Sequence, residues 1–487
     1  MYKIFGFVDF LSQIRLKCTS KYINLLKIYD LKNISKKYLI LLNDEILLNY
    51  KFVKYLNACN NQKITNVNHM NKLIELNANE KCGIGDDGIK NLNLQKLNAS
   101  YNPKITNVNH MDKLIELNAS GQCCGINNDG IKKLNIIKLN AYDNKKITNI
   151  NHMNKLIELN ANYNSGIDDE GIKNVNLQKL FASNNYKITN VNHMNKLIEL
   201  NASYNCGIDD NGIKNLNITK LNVCDNEKIT NVNHMDKLIE LNAGCNCGIG
   251  DNGIKNLNLQ KLTVSYNPKI TNINHMDRLM ELDASHNCGI NNDGIKNLNL
   301  QKLNANNNPI ITNVNYMDRL IELNASHNCG INNDGIKKLN LKKLYAFNNP
   351  KITNINHMDK LIELCVGSNS GVGDNNIKNL NLQKLNASDN KKITNVNHMD
   401  KLIELFVGSD CGIDDNGIKN INVIKLNAYN NSKITNVNHM NKLIQLDARY
   451  GSGIGDDGIK NLNLITVYAN NNPKITNINN NIIKLIR

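Results

Sequence analysis

The chain has no run approaching the ~18 consecutive apolar residues that a membrane-spanning helix needs. It has no tryptophan, five prolines and only 5% aromatic residues. Nor is a secretory start expected. The opening Met1-Tyr2-Lys3-Ile4-Phe5-Gly6-Phe7 is apolar, but Asp9 breaks it and no small-residue cleavage pattern follows. The 13 cysteines are an odd number, and most fall in a repeating column instead of framework spacings. A reduced, intracellular setting is therefore expected. Without a secretion signal, Asn-x-Ser triplets such as Asn98–Ser100 and Asn118–Ser120 are accidents of an Asn-rich chain. No Gly-x-Ser-x-Gly, phosphate loop or paired-carboxylate site stands outside the repeat columns. A catalytic set would appear once, as a break in the repeat. Neither an enzyme nor a cofactor is expected.

What is present is length, positive charge and asparagine. The 487 residues are several times an ordinary domain. They carry 58 Lys+Arg against 43 Asp+Glu, a net charge of +15. Roughly a fifth of the chain is Asn. With abundant Lys and Ile, this fits AT-rich codons, which makes Asn a weak functional clue.

The phrase Ile-Thr-Asn recurs with its Ile at 64, 105, 147, 188, 229, 270, 311, 352, 393, 434 and 475. The step is 41 residues except once, 42, where the extra residue lies in Gln122-Cys123-Cys124-Gly125. A fixed period of this size predicts a solenoid. Each period holds two half-units. One runs through Leu73-Ile74-Glu75-Leu76-Asn77-Ala78, the other through Leu94-Gln95-Lys96-Leu97-Asn98-Ala99-Ser100-Tyr101-Asn102. Both read Leu-x-x-Leu-x-Ala-x-x-Asn-x-x-Ile.

This pattern resembles the leucine-rich repeat, and the resemblance covers residues ~54–487. One departure is consistent: the third apolar position is Ala or Val, as at Ala58, Ala78, Ala99, Val223 and Val264. The resemblance implies an α/β fold: a curved parallel sheet of about 21 short strands, with short helical or irregular segments on the convex side. Alternation along a strand sends Leu73, Leu76 and Ala78 to the core and Glu75 and Asn77 to the concave face. Ile84, Ile89 and Leu92 complete the core, as do Ile105, Val108 and Met111 in the other half-unit. Asn102 matches the family's buried asparagine, which satisfies backbone groups in the turn. All eleven half-units of that kind keep it, from Asn61 to Asn472. The other kind keeps Asn at six of ten sites, with Lys81, Gln122, Asp410 and Gly451 elsewhere, where looser turns are expected.

A solenoid needs caps. Residues 1–53 are expected to form a helical N-terminal cap, and residues 479–487 a final truncated strand as a C-terminal cap. Within the first segment, Asp9 to Leu25 resembles the second half of an F-box. By that resemblance Phe10, Leu11, Ile14, Leu16, Cys18 and Tyr22 would contact a Skp-type adaptor of a cullin ubiquitin ligase. The family's opening Leu-Pro-x-Glu is absent. A plain helical cap and a degenerate F-box both remain open, and the two are compatible. The whole combination resembles F-box/leucine-rich-repeat proteins of giant DNA viruses of the Mimivirus type, which would place it in a host cytoplasm.

Several columns invite chemistry. Strand position three alternates Glu75, Lys96, Glu116, Lys138 and onward to Lys425. With strands ~4.8 Å apart this predicts a self-neutralising ladder on the concave face. The surplus positive charge then lies on turns, at Lys90, Lys104, Lys113 and Lys214. It favours nonspecific attraction to nucleic acid or acidic surfaces. A specific nucleic-acid groove would need aromatics interleaved with unpaired lysines. His69, His110, His152, His193, His234, His275, His357, His398 and His439 form a column, with Tyr316 replacing one. Cys82, Cys206, Cys247, Cys288, Cys329 and Cys411 form another, with Ser165, Ser370 and Ser452 substituting. Members two strands apart, ~10 Å, can share neither a metal nor a disulfide. They are expected to be small semi-buried turn residues. In Asp86-Asp87-Gly88, Asp is expected to start a turn and Gly to supply a positive φ, not to bind calcium.

The concave face varies at few places. Its aromatics are concentrated, and Tyr345, Phe347, Phe406, Tyr429, Arg449, Tyr450 and Tyr468 lie on neighbouring C-terminal strands. Tyr, Phe and Arg are the usual anchors of protein interfaces. A monomeric protein-interaction module is expected, with a protein partner on this face. A scaffold without a ligase link and a nucleic-acid binder are the alternatives.

Overall fold

The computed structural model describes residues 30–34, 36–476 and 484–486. The chain divides into an N-terminal unit, Met1–Leu238, and a C-terminal unit, Ile239–Arg487. Each is a stack of short parallel strands joined by turns, single-turn helices and irregular segments. Each therefore has the solenoid architecture of a leucine-rich repeat.

In the N-terminal unit three-residue strands follow one another from Tyr55–Asn57 and Glu75–Asn77 to Lys220–Asn222. The register is regular: Glu75 faces Lys96, Leu76 faces Leu97 and Asn77 faces Asn98. In the C-terminal unit the series runs from Glu240–Asn242 through Thr466–Tyr468 to Lys484–Ile486, again all parallel.

The apolar positions make the core as the period demands. Leu76, Ala78, Ile84 and Ile89 are fully buried, and so are Ile105, Val108 and Met111 of the other half-unit. Asn102 is fully buried too. Its amide donates to the carbonyls of Ala78 and Ile84, at 2.7 and 3.0 Å, while its Oδ1 accepts from the Lys104 N–H at 2.8 Å. One side chain thus serves three backbone groups that no strand reaches. All eleven such asparagines are buried.

The other half-unit departs from expectation. Asn164, Asn205, Asn246, Asn287, Asn328 and Asn369 are exposed, as are Lys81, Gln122, Asp410 and Gly451. All ten sites are exposed, so the four exceptions do not stand apart in burial. The buried place falls one residue later, on Cys82, Ser165 and their column mates. At the insertion it falls on Cys124, whose thiol lies 3.5 Å from the Ala99 carbonyl oxygen.

Two turn devices are common to both units. After each strand from Tyr55–Asn57 to Thr466–Tyr468, one residue takes the left-handed conformation, and it is rarely glycine: Glu80 has φ 57°, Tyr101 55° and Tyr450 57°. The Asp-Asp-Gly phrase works differently from expectation. Asp86 opens the helix Asp86–Ile89, and its carboxylate accepts from the N–H groups of Thr106 and Asn107 in the next turn. Gly88 is helical, without a positive φ. It is required because a Cβ there would sit 2.1 Å from the Thr65 carbonyl oxygen.

The same chemistry begins before residue 54. Strand Asp30–Leu31 pairs parallel with Tyr55–Leu56. Helices Lys36–Leu39 and Asp44–Leu47 follow. Asn61 donates to the carbonyls of Leu39 and Leu42, and Asp44 accepts from Thr65 and Asn66. Residues 30–53 therefore supply a repeat-like turn within the segment expected to be a separate cap. Phe10, Leu11, Ile14, Leu16, Cys18 and Tyr22 lie outside the described residues.

Candidate interaction face

The predicted charge ladder is present on the open face of each sheet. In the N-terminal unit Lys96–Glu116, Lys138–Glu158 and Lys179–Glu199 pair at 2.9, 3.3 and 3.1 Å. Lys32 adds a contact to Glu75 at 2.8 Å. In the C-terminal unit the contacts run on. Glu281 lies between Lys261 and Lys302, Glu363 between Lys343 and Lys384, and Glu404 between Lys384 and Lys425. The Lys302 hydrogen bond holds the Glu281 carboxyl below its usual range, and that from Lys425 does the same for Glu404. Each pair is partly exposed and contributes about 0–1 kcal/mol. Their joint effect is a face with little net charge.

The ladder lapses where Lys425 meets Gln445 and Gln445 meets Thr466. There the aromatic residues gather. Arg449 donates to both carboxylate oxygens of Asp447, at 2.9 and 2.7 Å. Its guanidinium lies 5.4 Å from the Tyr429 ring centre and 5.8 Å from that of Tyr468. Tyr450 meets Tyr429 at 5.1 Å and is 43% exposed. A charge held by two rings and a carboxylate is a preorganised anchor.

The other three predicted residues are not part of this cluster. Phe406 sits under the Lys384 ammonium, 5.8 Å from ring centre to Nζ. Phe347 pairs with His327 at 5.5 Å and covers Gly367, where a Cβ would be 2.8 Å from the ring. Tyr345 lies between Asn324 and Cys365. Its hydroxyl is pushed up by burial and then by the charge of Glu363. The seven residues therefore form one cluster of four and three separate positions. Linear proximity could not separate them, because residues on one rim of the sheet and those in its middle alternate within five positions.

Two shallow grooves mark the sheet faces. One of about 420 Å³ runs over the N-terminal unit from Glu75 to Phe181. Another of about 460 Å³ in the C-terminal unit is lined by Lys261, Thr263, Glu281, Asp283, Lys302 and Tyr345. Asp283 accepts from the Ser285 N–H and the Asn304 amide, at 3.0 and 3.1 Å.

The repeated histidines and cysteines have structural work. His110 Nε2–H donates to the Ile89 carbonyl at 3.1 Å, and His439 to that of Ile418 at 3.0 Å. Where Tyr316 replaces histidine, its hydroxyl donates to Ile295 at 3.1 Å. The column therefore satisfies carbonyls at helix ends. The column cysteines are more buried than expected: Cys247, Cys329 and Cys411 are inaccessible. Burial pushes their thiols up to about 11. Among the described residues no group of three or more His, Cys, Asp and Glu side chains could hold a metal ion. No helix among them is long and apolar enough to cross a membrane.

No protein-family model matches the chain, and no curated protein matches it. Among solved structures it is similar to the crystal structure of a TLR13–ssRNA13 complex, with 15% identity over 94% of each chain and a TM-score of 0.47. It is also similar to an internalin (inlF) of Listeria monocytogenes, with 16% identity over 76% of this chain and 84% of that one, and a TM-score of 0.23.

Proposed function

We propose that this protein is a protein-recognition module that docks its partner on the open sheet face of the C-terminal unit, around Arg449. The observation that carries this reading is the Tyr429–Arg449–Tyr468 cluster. Aromatic and Arg side chains dominate binding hot spots, and these are held in place before any partner arrives. They lie where the charge ladder gives way to Gln445 and Thr466, so a partner need not break Lys–Glu ladder pairs to dock.

The sharper form of the proposal makes the protein a substrate-recognition subunit of a cullin-type ubiquitin ligase, working in a reducing cell interior. Residues 9–25 would recruit a Skp adaptor, and the Arg449 cluster would hold the substrate. The F-box-like order of Phe10, Leu11, Ile14, Leu16, Cys18 and Tyr22 supports it. The test is a binding measurement between the purified full chain and Skp adaptor. Direct binding that is lost in a Leu11→Glu/Leu16→Glu variant supports the ligase reading. Absence of binding leaves a recognition scaffold with no ligase link.

A further inference from the structure

The one break in the 41-residue period falls at Gly121–Gly125, and something distinctive surrounds it. Among the described residues Gly121 is the glycine with a positive φ, 98°, at a turn position that other repeats fill with side chains. The Tyr101 ring occupies the vacated space: a Cβ on Gly121 would lie 2.5 Å from it. Two turns further, Tyr142 meets Tyr163 with ring centres 4.8 Å apart. The Tyr142 hydroxyl is pushed up by burial and then by Tyr163 and Tyr101, which places all three rings in one neighbourhood. The row continues on the same flank to Tyr204. Tyr101, Tyr163 and Tyr204 are 42%, 43% and 51% exposed. Large aromatic faces are thus turned to solvent in sequence along the strand-exit turns of the N-terminal unit.

Basic side chains outnumber acidic ones on these turns. Over residues 99–104, 119–125, 141–146, 161–166, 182–187 and 202–207 the basic side chains are Lys104, Lys145, Lys146 and Lys187, and the acid is Asp143. Unlike the lysines of the sheet face, none of the four makes an ion pair among the described residues. Lys146 Nζ is instead fixed on the flank by the Cys124 carbonyl at 2.8 Å. Asp143 is engaged by the amides of Gln122 and Asn164, at 3.4 and 3.3 Å. Consecutive turns are spaced by the strands, ~4.8 Å apart.

We propose that this flank is a binding strip for single-stranded nucleic acid, with bases stacked on Tyr101, Tyr142, Tyr163 and Tyr204 and phosphates held by the four lysines. Aromatic platforms beside unpaired cations are what sequence-tolerant single-strand binding requires. A duplex hides its base faces and cannot use them. A protein partner is the poorer fit, because lysine is depleted in protein interfaces. Tyr142 and Tyr163 hold the repeat positions that Tyr429 and Tyr450 hold in the C-terminal unit, so the strip is the N-terminal unit's counterpart of the Arg449 cluster, with lysines in place of the arginine.

The experiment is fluorescence anisotropy with a labelled 20-nucleotide oligo-dT, an oligo-U and a 20-base-pair duplex, on the full chain. At 50 mM salt the single strands should bind at least tenfold tighter than the duplex. Tyr142→Ala/Tyr163→Ala should weaken single-strand binding by about tenfold or more at fixed salt. Tyr142→Phe/Tyr163→Phe keeps the rings and should retain binding. Lys145→Ala/Lys146→Ala should reduce the slope of log K against log salt by about 1.4. Lys173→Ala/Lys214→Ala removes equal charge from the helical side and should change affinity less than twofold. The proposal is overturned by no binding at 50 mM salt, by a duplex bound as well as the single strands, by intact binding in the Tyr→Ala variant, or by equal losses from the two lysine pairs. If the Tyr→Ala variant fails to fold, the Lys145/Lys146 comparison alone decides.

Discussion

Arg449 grips Asp447 with two parallel hydrogen bonds, while Tyr429 and Tyr468 flank its guanidinium. Asp447 is 8% exposed, so its charge depends on this partner. Arg449→Ala should destabilise the protein by about 1–2 kcal/mol. That is less than the ~3–5 of a fully buried pair, because the arginine side chain is partly exposed. Arg449→Lys should recover little, since an ammonium cannot make the fork. Denaturant titration of the three proteins checks this. Equal stability of Arg449→Ala and the parent would make the cluster decorative.

Asn308 makes the three-way contact described for Asn102, donating to Ala284 and Ile290 and accepting from Ile310 N–H. Asn308→Ala strands those groups in the interior. The expected loss is about 2–4 kcal/mol, from an unmade-bond cost of ~1–3 kcal/mol per buried polar group. The exposed Asn328 should tolerate alanine with less than ~0.5 kcal/mol change. Chemical denaturation distinguishes the two, and similar losses at both sites would refute the assignment of the buried position.

Gly88→Ala drives a methyl group into the Thr65 carbonyl, and a cost of about 1–3 kcal/mol is expected for overpacking of this kind. Gly85→Ala meets nothing nearer than 3.1 Å and should be milder. In the opposite direction, Glu80→Gly should stabilise by up to ~1 kcal/mol, because it relieves a left-handed non-glycine residue. Thermal melts of the three variants give the ordering directly.

The buried thiols predict alkaline sensitivity. Burial disfavours the thiolates of Cys82, Cys206, Cys329 and Cys411 and pushes them up to about 11 in the folded chain. Their usual value is lower, so the folded state binds more protons between them. The stabilising effect is complete below about pH 9 and declines as pH rises toward 11. A Cys206→Ser/Cys329→Ser variant should lose less stability over that interval than the parent. At pH 8 iodoacetamide should modify the exposed Cys123 long before Cys206, as peptide mapping would reveal.

The period in the sequence was enough to place the strands, the alternating ladder and the buried asparagines of one half-unit. It was not enough for the other half-unit, where the turn has the same length but the buried place falls four residues after Ala161, on Ser165, and not three, as Asn102 does after Ala99. The turn at 30–53 was hidden because it lacks the Cys-Gly-Ile phrase and carries Ile46 where other turns have Gly88. A signal existed in Asn43-Asp44-Glu45, which matches Gly85-Asp86-Asp87 in its use of the acid. The individual tyrosines of the exit turns were visible, but that Tyr101 folds over Gly121 depends on a backbone angle that composition does not reveal. The excess of asparagine also acquires reasons. Asn68, for example, caps the Asp87 carbonyl and accepts from Asn91.

The alternation of glutamate and lysine sets a rule for how such a gene can change length. Removing or duplicating a whole 41-residue pair inside either unit would bring Glu beside Lys again and restore the buried asparagine to its place. Removing a single half-unit would set Glu against Glu and bring two turns of the same kind together. Copy number can therefore drift in steps of two turns and not of one. The near-uniform spacing of the Ile-Thr-Asn phrase is the record such a process would leave.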